Sequence, residues 1–488
     1  MRYKYPKAGE NNSTVSAQLY QLNSGKTSQL NLGSFENYYI PQIFQTNGEN
    51  EIVIATSNRH QNKVDLLNVD TKSGTVSKLF SETDNAWIDT DNLTMEFLDD
   101  NSFLWASERD GFRHLYWYDK TGKLKKQVSK GNWEITDYYG YNPKTKEAYI
   151  QTTEKGSLNK VVSKLNIDNG KTTLVSYPEG NNSANFSKSF NYFINTNSTA
   201  GTPNKYVLKD AAGKEIKELQ NNNELLSKLN KDSFVTKEFI TIPNAVGDQL
   251  NAWIIKPKNF DPNKKYPLFM FQYSGPGSQQ VSNSWDGGNG IWFEMLAQKG
   301  YVVACVDGRG TGYKGAKFKK VTYKQLGKYE IEDQITAAKW FGNQSYIDKS
   351  RIGIFGWSFG GYMTSLAMTK GADVFKMGIA VAPVTNWRYY DSIYTERFLQ
   401  TPQENAQGYD QNSPTTFANL LKGKFLLIHG TADDNVHFQN SMEFSEALIQ
   451  NKKQFDFMAY PDKNHGIYGG NTRPQLYEKM TNFILENL

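Results

Sequence analysis

Residues Arg351 to Tyr362 read RIGIFGWSFGGY, a stretch that leaves the backbone few choices. Ile352, Ile354 and Phe355 make a short apolar run, Gly356-Trp357-Ser358-Phe359-Gly360 follows, and a helix-compatible run begins directly afterwards. The order is strand, tight turn, helix, with a serine at the turn. A turn this sharp is strained, and a side chain on either flanking glycine would clash. It lifts the serine hydroxyl out of the sheet, and the helix that starts there aims free backbone N–H groups at whatever the hydroxyl attacks. Ser358 is therefore the candidate nucleophile. G-x-S-x-G arises by chance in a chain rich in Gly and Ser, so its weight comes from the strand and helix around it.

The surroundings suit that reading. From about Phe234, strands are predicted at 239–243, 250–257, 267–274, 301–307, 351–356, 377–382, 424–429 and 455–460. From the fourth onward they alternate with helical stretches at 292–299, 329–343, 362–370, 440–451 and 474–487. Strand–helix alternation implies a mostly parallel sheet with helices on both faces. A chain of 488 residues is too long for one ordinary domain. A short polar stretch at 231–237 sets the expected domains at 1–232 and 233–488.

The first half has another texture. Alternating runs such as Val15–Leu22 and Phe103–Ser107 read as strands separated by polar turns. Turns ending in Gly-Lys or a close variant recur at Gly25, Gly74, Gly122, Gly170 and Gly213, spaced by 43 to 49 residues. That period fits one four-stranded blade of a β-propeller per repeat. Four full repeats and a partial first one are expected, so the chain is expected to begin inside a blade. The half reads as scaffold, and Glu108-Arg109-Asp110-Gly111 as one of its charged turns.

A nucleophilic serine needs a base, and the base an orienting carboxylate. There are five histidines. His60 and His114 lie in the repeats. His429 ends an apolar strand and reads as structural, and His437 opens a helix, where a cap or surface role is the default. His465 follows the last core strand on a loop and is the candidate base in the chain order Ser…Asp…His. The acid should lie on the preceding loop, Leu426 to Val436. Of the adjacent Asp433 and Asp434, Asp433 is preferred because it stands four residues beyond His429 in an H-G-x-x-D spacing.

Composition excludes other classes. A net charge of +5 with interspersed lysines and acids gives no basic block for nucleic acid. The single cysteine, Cys305, lies in an apolar run and reads as a buried thiol; it allows no internal disulfide and no cysteine metal cluster. No metal or cofactor is expected. No apolar segment approaches a membrane span, and the first residues do not form a signal peptide. Asn-x-Ser/Thr triplets, as at Asn92 and Asn185, are accounted for by the abundance of Asn and Ser.

Several motifs together resemble the prolyl oligopeptidase family of serine peptidases, in its dipeptidyl peptidase IV branch: Tyr273–Gln279, Asp307–Tyr313, Gly356–Tyr362, Ala380–Val384, Tyr394–Arg397, His429–Gln439 and Asn464–Gly466 in the second half, Tyr5–Gly9 and Ser107–Leu115 in the first. The resemblance implies a partial β-propeller followed by an α/β-hydrolase domain. It implies release of N-terminal dipeptides with Pro, less well Ala, in second place. Ser358, Asp433 and His465 would form the triad. The Tyr273 hydroxyl and the Phe359 backbone N–H would hold the oxyanion. Val384, Trp387, Tyr390 and Tyr394 would form a proline slot, with Asn435 bonding the preceding carbonyl. Phe359 stands where the family has Tyr, which alters a pocket wall and not the N–H donor. The resemblance further implies a homodimer, and a periplasmic, cell-envelope or secreted location if a signal lies upstream.

The family reads the substrate amine with a glutamate pair upstream of the Tyr-Pro-Lys-Ala-Gly stretch. Here that stretch starts at residue 5, so the pair is expected to be missing and the chain alone poorly active. The alternatives are a prolyl endopeptidase or esterase of the same fold, and a binding scaffold with a weak hydrolase domain.

Overall fold

The computed structural model describes residues 4–33, 39–231 and 234–488; the expected boundary at 232–233 lies outside them. The first half contains a two-stranded sheet (Gln18–Gln21, Lys26–Gln29) and four antiparallel four-stranded sheets, which begin at Tyr39, Met95, Ile135 and Asn181. They pack in sequence order. Leu30 and Leu32 lie on Ile54 and Val69 of the first four-stranded sheet, Val53 and Leu66 meet Phe103 and Trp105 of the second, Leu104 and Leu115 meet Ile150 of the third, and Val162 meets Phe193 of the fourth. This is the blade order of a propeller.

The recurrent glycines have a steric reason. All five have φ between 66° and 86°. At Gly122 an added Cβ would lie 2.1 Å from the Leu79 carbonyl oxygen, and at Gly170 2.5 Å from that of Val128. These two hairpin tips therefore rest against the outer strand of the preceding blade. Short strands and polar turns were expected up to about Asn230; Asn223–Lys231 is instead a helix, with Leu225, Leu226 and Leu229 at helical spacing.

The second half is one eight-stranded sheet. Its strands are β1 (Glu238–Pro243), β2 (Gln249–Ile255), β3 (Tyr266–Phe271), β4 (Val302–Asp307), β5 (Ile347–Trp357), β6 (Met377–Val381), β7 (Lys424–Gly430) and β8 (Asp456–Tyr460). Their spatial order is β1-β2-β4-β3-β5-β6-β7-β8, with β1–β2 and β2–β4 antiparallel and the rest parallel. Helices Lys328–Gly342, Phe359–Thr369 and Gln439–Gln450 cover one face, and Gly288–Gln298 and Thr472–Asn487 the other. Side chains alternate between the two cores: Ile354 enters the first and Phe355 the second. Cys305 is fully buried in the second, and burial pushes its thiol pKa up.

Two boundaries differ instructively. β5 starts at Ile347, not Arg351, because Ile347 already pairs with Tyr266. The helix after Ser358 starts at Phe359, not Tyr362. Gly360 and Gly361 are poor helix formers, but a Cβ there would come within 2.5 Å of the Gln272 oxygen and 2.8 Å of the Val381 oxygen. Close packing therefore overrides propensity. Between β6 and β7 lie elements that sequence periodicity did not reveal: a 3-10 turn at Trp387–Tyr389 and short helices at Ser392–Leu399 and Ala406–Asp410.

The halves are joined by buried charge. Glu108, read as a scaffold turn, accepts from Lys319 at 2.5 Å and pairs with Lys320 at 3.1 Å. Burial raises its pKa, but the two lysines outweigh that and hold it at about 2. Glu108→Gln would leave Lys319 without its close carboxylate partner, and breaking a buried pair costs about 3–5 kcal/mol. A lower melting midpoint at pH 7 is expected. Because the folded pKa is depressed, the wild-type advantage should fade as pH falls from about 4.5 toward 2.

Candidate active site

Ser358 stands at the C-terminal end of β5, between β3 and β6. Its φ of 60° and ψ of −117° lie outside the ordinary regions for a side-chain-bearing residue. A Cβ on Gly356 would lie 2.3 Å from the Gly360 oxygen, so the expected clash at the flanking glycines is present. The Ser358 amide donates to the Val381 carbonyl (2.8 Å), which pins the turn to β6. Phe359 opens the helix, and its N–H is one of the first four without an intrahelical acceptor.

The loop after β7 brings in Asp433. Its Oδ2 is 2.7 Å from His465 Nδ1 and 3.1 Å from His429 Nε2. Its Oδ1 accepts the amides of Asn435 (3.0 Å) and Val436 (2.9 Å). His429 Nε2 also faces the Val436 carbonyl at 2.8 Å; a carbonyl only accepts, so Nε2 carries the proton and Nδ1 meets the Ser441 hydroxyl at 2.7 Å. One buried carboxylate thus serves two imidazoles. Burial pushes the Asp433 pKa up, but the hydrogen bonds of His429 and His465 outweigh it and bring it to about 2. With Nδ1 of His465 turned to Asp433, Nε2 is left as the basic nitrogen. Asp434 is exposed.

Tyr273 follows β3, half-buried beside the Phe359 ring (centroids 6.1 Å apart). Burial raises the phenol pKa, and the neighbouring Ser358 side chain pulls it back. The residues on either side of Tyr273 are tied into the sheet. Gln272 Nε2 donates to the Gly360 carbonyl (2.7 Å), Ser274 Oγ to Gln272 Oε1 (3.2 Å) and Gln334 Nε2 to Ser274 Oγ (3.3 Å). This buried chain couples Tyr273 to the serine turn. Sequence reading missed it, although Gln272 and Ser274 are polar interruptions at the end of an apolar strand.

The aromatic residues pack into one wall. The Trp387 and Tyr394 rings stack at 5.8 Å, Tyr390 meets both edge-on at 5.7 and 5.3 Å, and Phe359 adjoins Trp387 at 5.5 Å. Val384 and Trp387 are buried in the core that also holds the serine helix. The Tyr390 hydroxyl donates to Asn435 Oδ1 (2.7 Å), which ties this wall to the Asp433 loop.

The first-half stretch Tyr5–Gly9 fastens the same wall from outside. The Tyr5 hydroxyl donates to the Asn435 carbonyl (2.7 Å), Ala8 N–H to the Tyr390 carbonyl (3.1 Å) and Gly9 N–H to Glu396 Oε1 (2.8 Å). Arg59 grips Glu396 through Nε (2.5 Å) and Nη2 (2.7 Å). His437 stands two residues before the helix that begins at Gln439, and its carbonyl accepts the Asn440 amide (2.9 Å). Its ring packs on Tyr5, centroids 4.1 Å apart, because the Tyr5 segment covers it. His429 is structural as expected, but it touches the same carboxylate as His465. No group of three or more His, Cys, Asp or Glu side chains suited to a metal occurs among the described residues.

A propeller-like stack of four-stranded sheets joined to an α/β-hydrolase sheet with a serine turn defines the class. Residues 291–488 match the model of the prolyl oligopeptidase family, and residues 1–204 that of the dipeptidyl peptidase IV (DPP IV) N-terminal region. The crystal structure of Porphyromonas gingivalis dipeptidyl peptidase 4 is similar over the whole chain and 69% of its own length, with 43% identity and a TM-score of 0.96. The "Probable dipeptidyl-aminopeptidase B" of Pyrenophora teres is 33% identical over 98% of this chain and 55% of its own length. The chain spans about half the length of the curated relatives it matches. It belongs to the prolyl oligopeptidase family.

Proposed function

We propose that residues 233–488 form the peptidase domain, and residues 1–232 the propeller portion, of a serine-type dipeptidyl peptidase that releases N-terminal dipeptides with Pro, less well Ala, in second place. The observation that carries this is the Asp433–His465 contact of 2.7 Å on the loops after β7 and β8, with the His465 carbonyl held at 3.0 Å by Trp357, the residue before the strained serine turn. In this reading His465 Nε2 takes the Ser358 proton as the hydroxyl oxygen attacks the scissile carbonyl. Asp433 holds the Nδ1 proton and offsets the imidazolium charge. The Tyr273 hydroxyl and the Phe359 N–H receive the oxyanion. His465 then protonates the departing amine, and water, activated by the same ring, cleaves the acyl-serine ester. Val384, Trp387, Tyr390 and Tyr394 take the rigid, apolar proline ring, for which flat aromatic walls are well shaped. Asn435 orients the carbonyl before it.

The test compares Gly-Pro and Gly-Leu chromogenic substrates. Faster cleavage of Gly-Pro is expected, and equal rates would assign the chain to the esterase alternative. Tyr273→Phe keeps the ring and removes one donor; a fall in kcat of about 10²–10³-fold is expected, with KM nearly unchanged.

A further inference from the structure

Ser358 stands between two apolar cores. Phe359, Val384 and Trp387 belong to one; Trp357, the residue before the serine, packs against the other. If the first side takes the acyl half of a substrate, the leaving half departs across Trp357. Trp357 Nε1 donates to the His465 carbonyl (3.0 Å), so this side also carries the ring that protonates the leaving amine.

Arg473 sits there, in the first turn of helix Thr472–Asn487. Its guanidinium carbon lies 4.0 Å from the Tyr468 ring centre, 4.8 Å from Trp357 and 6.0 Å from Tyr477. Its buried Nε has no hydrogen-bond partner. The other arginines among the described residues all meet an oxygen: Arg59 meets Glu396, Arg109 Glu82, Arg309 Asp333, Arg351 Asp348, Arg388 Asp410 and Arg397 Asp91, while Arg113 donates to carbonyls. Arg473 has no carboxylate partner among them. The aromatic faces hold its charge in place, and with no carboxylate against it the planar guanidinium matches one. The helix N-terminus disfavours a cation and favours an anion, so the two positive groups reinforce each other.

We propose that Arg473 is a specificity-determining residue on the leaving-group side, where it binds the terminal carboxylate of the departing peptide and so favours short peptides with a free C-terminus. This rests on the dipeptidyl peptidase reading. The test measures kcat/KM for Gly-Pro-Ala and Gly-Pro-Ala-Ala, each against its C-terminal amide. The free acid should be favoured about tenfold at one of the two lengths, the scale of a charged hydrogen bond. Arg473→Met should bring that ratio close to one, and Arg473→Lys should keep part of it. A ratio near one in the wild type at both lengths would overturn the proposal. So would an unchanged ratio in Arg473→Met, with all four substrates slowed alike, which would make the residue an aromatic clamp only. If turnover is too slow to follow, protection of Ser358 from a fluorophosphonate by the same peptides gives the same ratio. A wild-type Ser358 that never reacts would instead overturn the peptidase reading itself.

Discussion

Ser358→Ala is expected to abolish fluorophosphonate labelling and to lower kcat on a Gly-Pro chromogenic substrate by about 10⁶-fold. The melting midpoint should barely move. Alanine keeps the Cβ that the turn already accommodates at a φ of 60°, and the backbone bond from residue 358 to the Val381 carbonyl is untouched. Only the attacking oxygen is lost. Labelling that survives in Ser358→Ala would place the reactive group elsewhere, since the other parts of the site cannot substitute for a nucleophile.

Asp433→Asn should cost about 10⁴-fold in kcat. An amide nitrogen cannot accept, so in either orientation the side chain loses an acceptor toward His465 and His429 on one side or the Asn435 and Val436 amides on the other. His465 then no longer has its Nδ1 proton held, and Nε2 is not kept free. The same substitution has a stability signature. Asp433 has a folded pKa of about 2 against an ordinary value of 3.8. A depressed carboxylate pKa contributes stability that is complete above the unfolded value and is lost as pH falls through the folded one. The shift corresponds to about 2 kcal/mol at neutral pH. In urea titrations the wild-type advantage over Asp433→Asn should be constant above about pH 5 and should shrink between about pH 4 and 2. An advantage independent of pH would mean that the carboxylate charge is not what His429 and His465 stabilise.

The elements that sequence reading located were those governed by local chemistry. The Gly-flanked serine turn is legible because a strained turn tolerates few residues, and the blade period because hairpin tips such as Gly122, Gly170 and Gly213 need a glycine against the preceding strand. Strand and helix alternation gave the eight strands because both faces of a parallel sheet are buried, which produces dense apolar runs. The segment between β6 and β7 was not legible as structure: its short elements are held by side chains of distant residues, such as Asp91 on Arg397 and Arg59 on Glu396, rather than by periodicity.

For the site itself, the identities of Ser358, Asp433, His465 and the aromatic residues could be proposed from spacing and resemblance. Their mutual geometry could not. That His429 and His465 share one carboxylate oxygen depends on a β7 side chain pointing back into its own loop, and loop direction is set by packing. That Tyr5 braces Asn435 joins positions 430 residues apart. That Glu108 anchors the two halves depends on lysines brought to it by the other domain. The sequence alone determined which residues could do chemistry and the two architectures that hold them, because turn sterics and burial periodicity act between neighbours in the chain. Only the tertiary structure decided which buried charges and polar groups meet, because a desolvated group takes whatever partner the fold delivers within about 3 Å, and no local pattern encodes that.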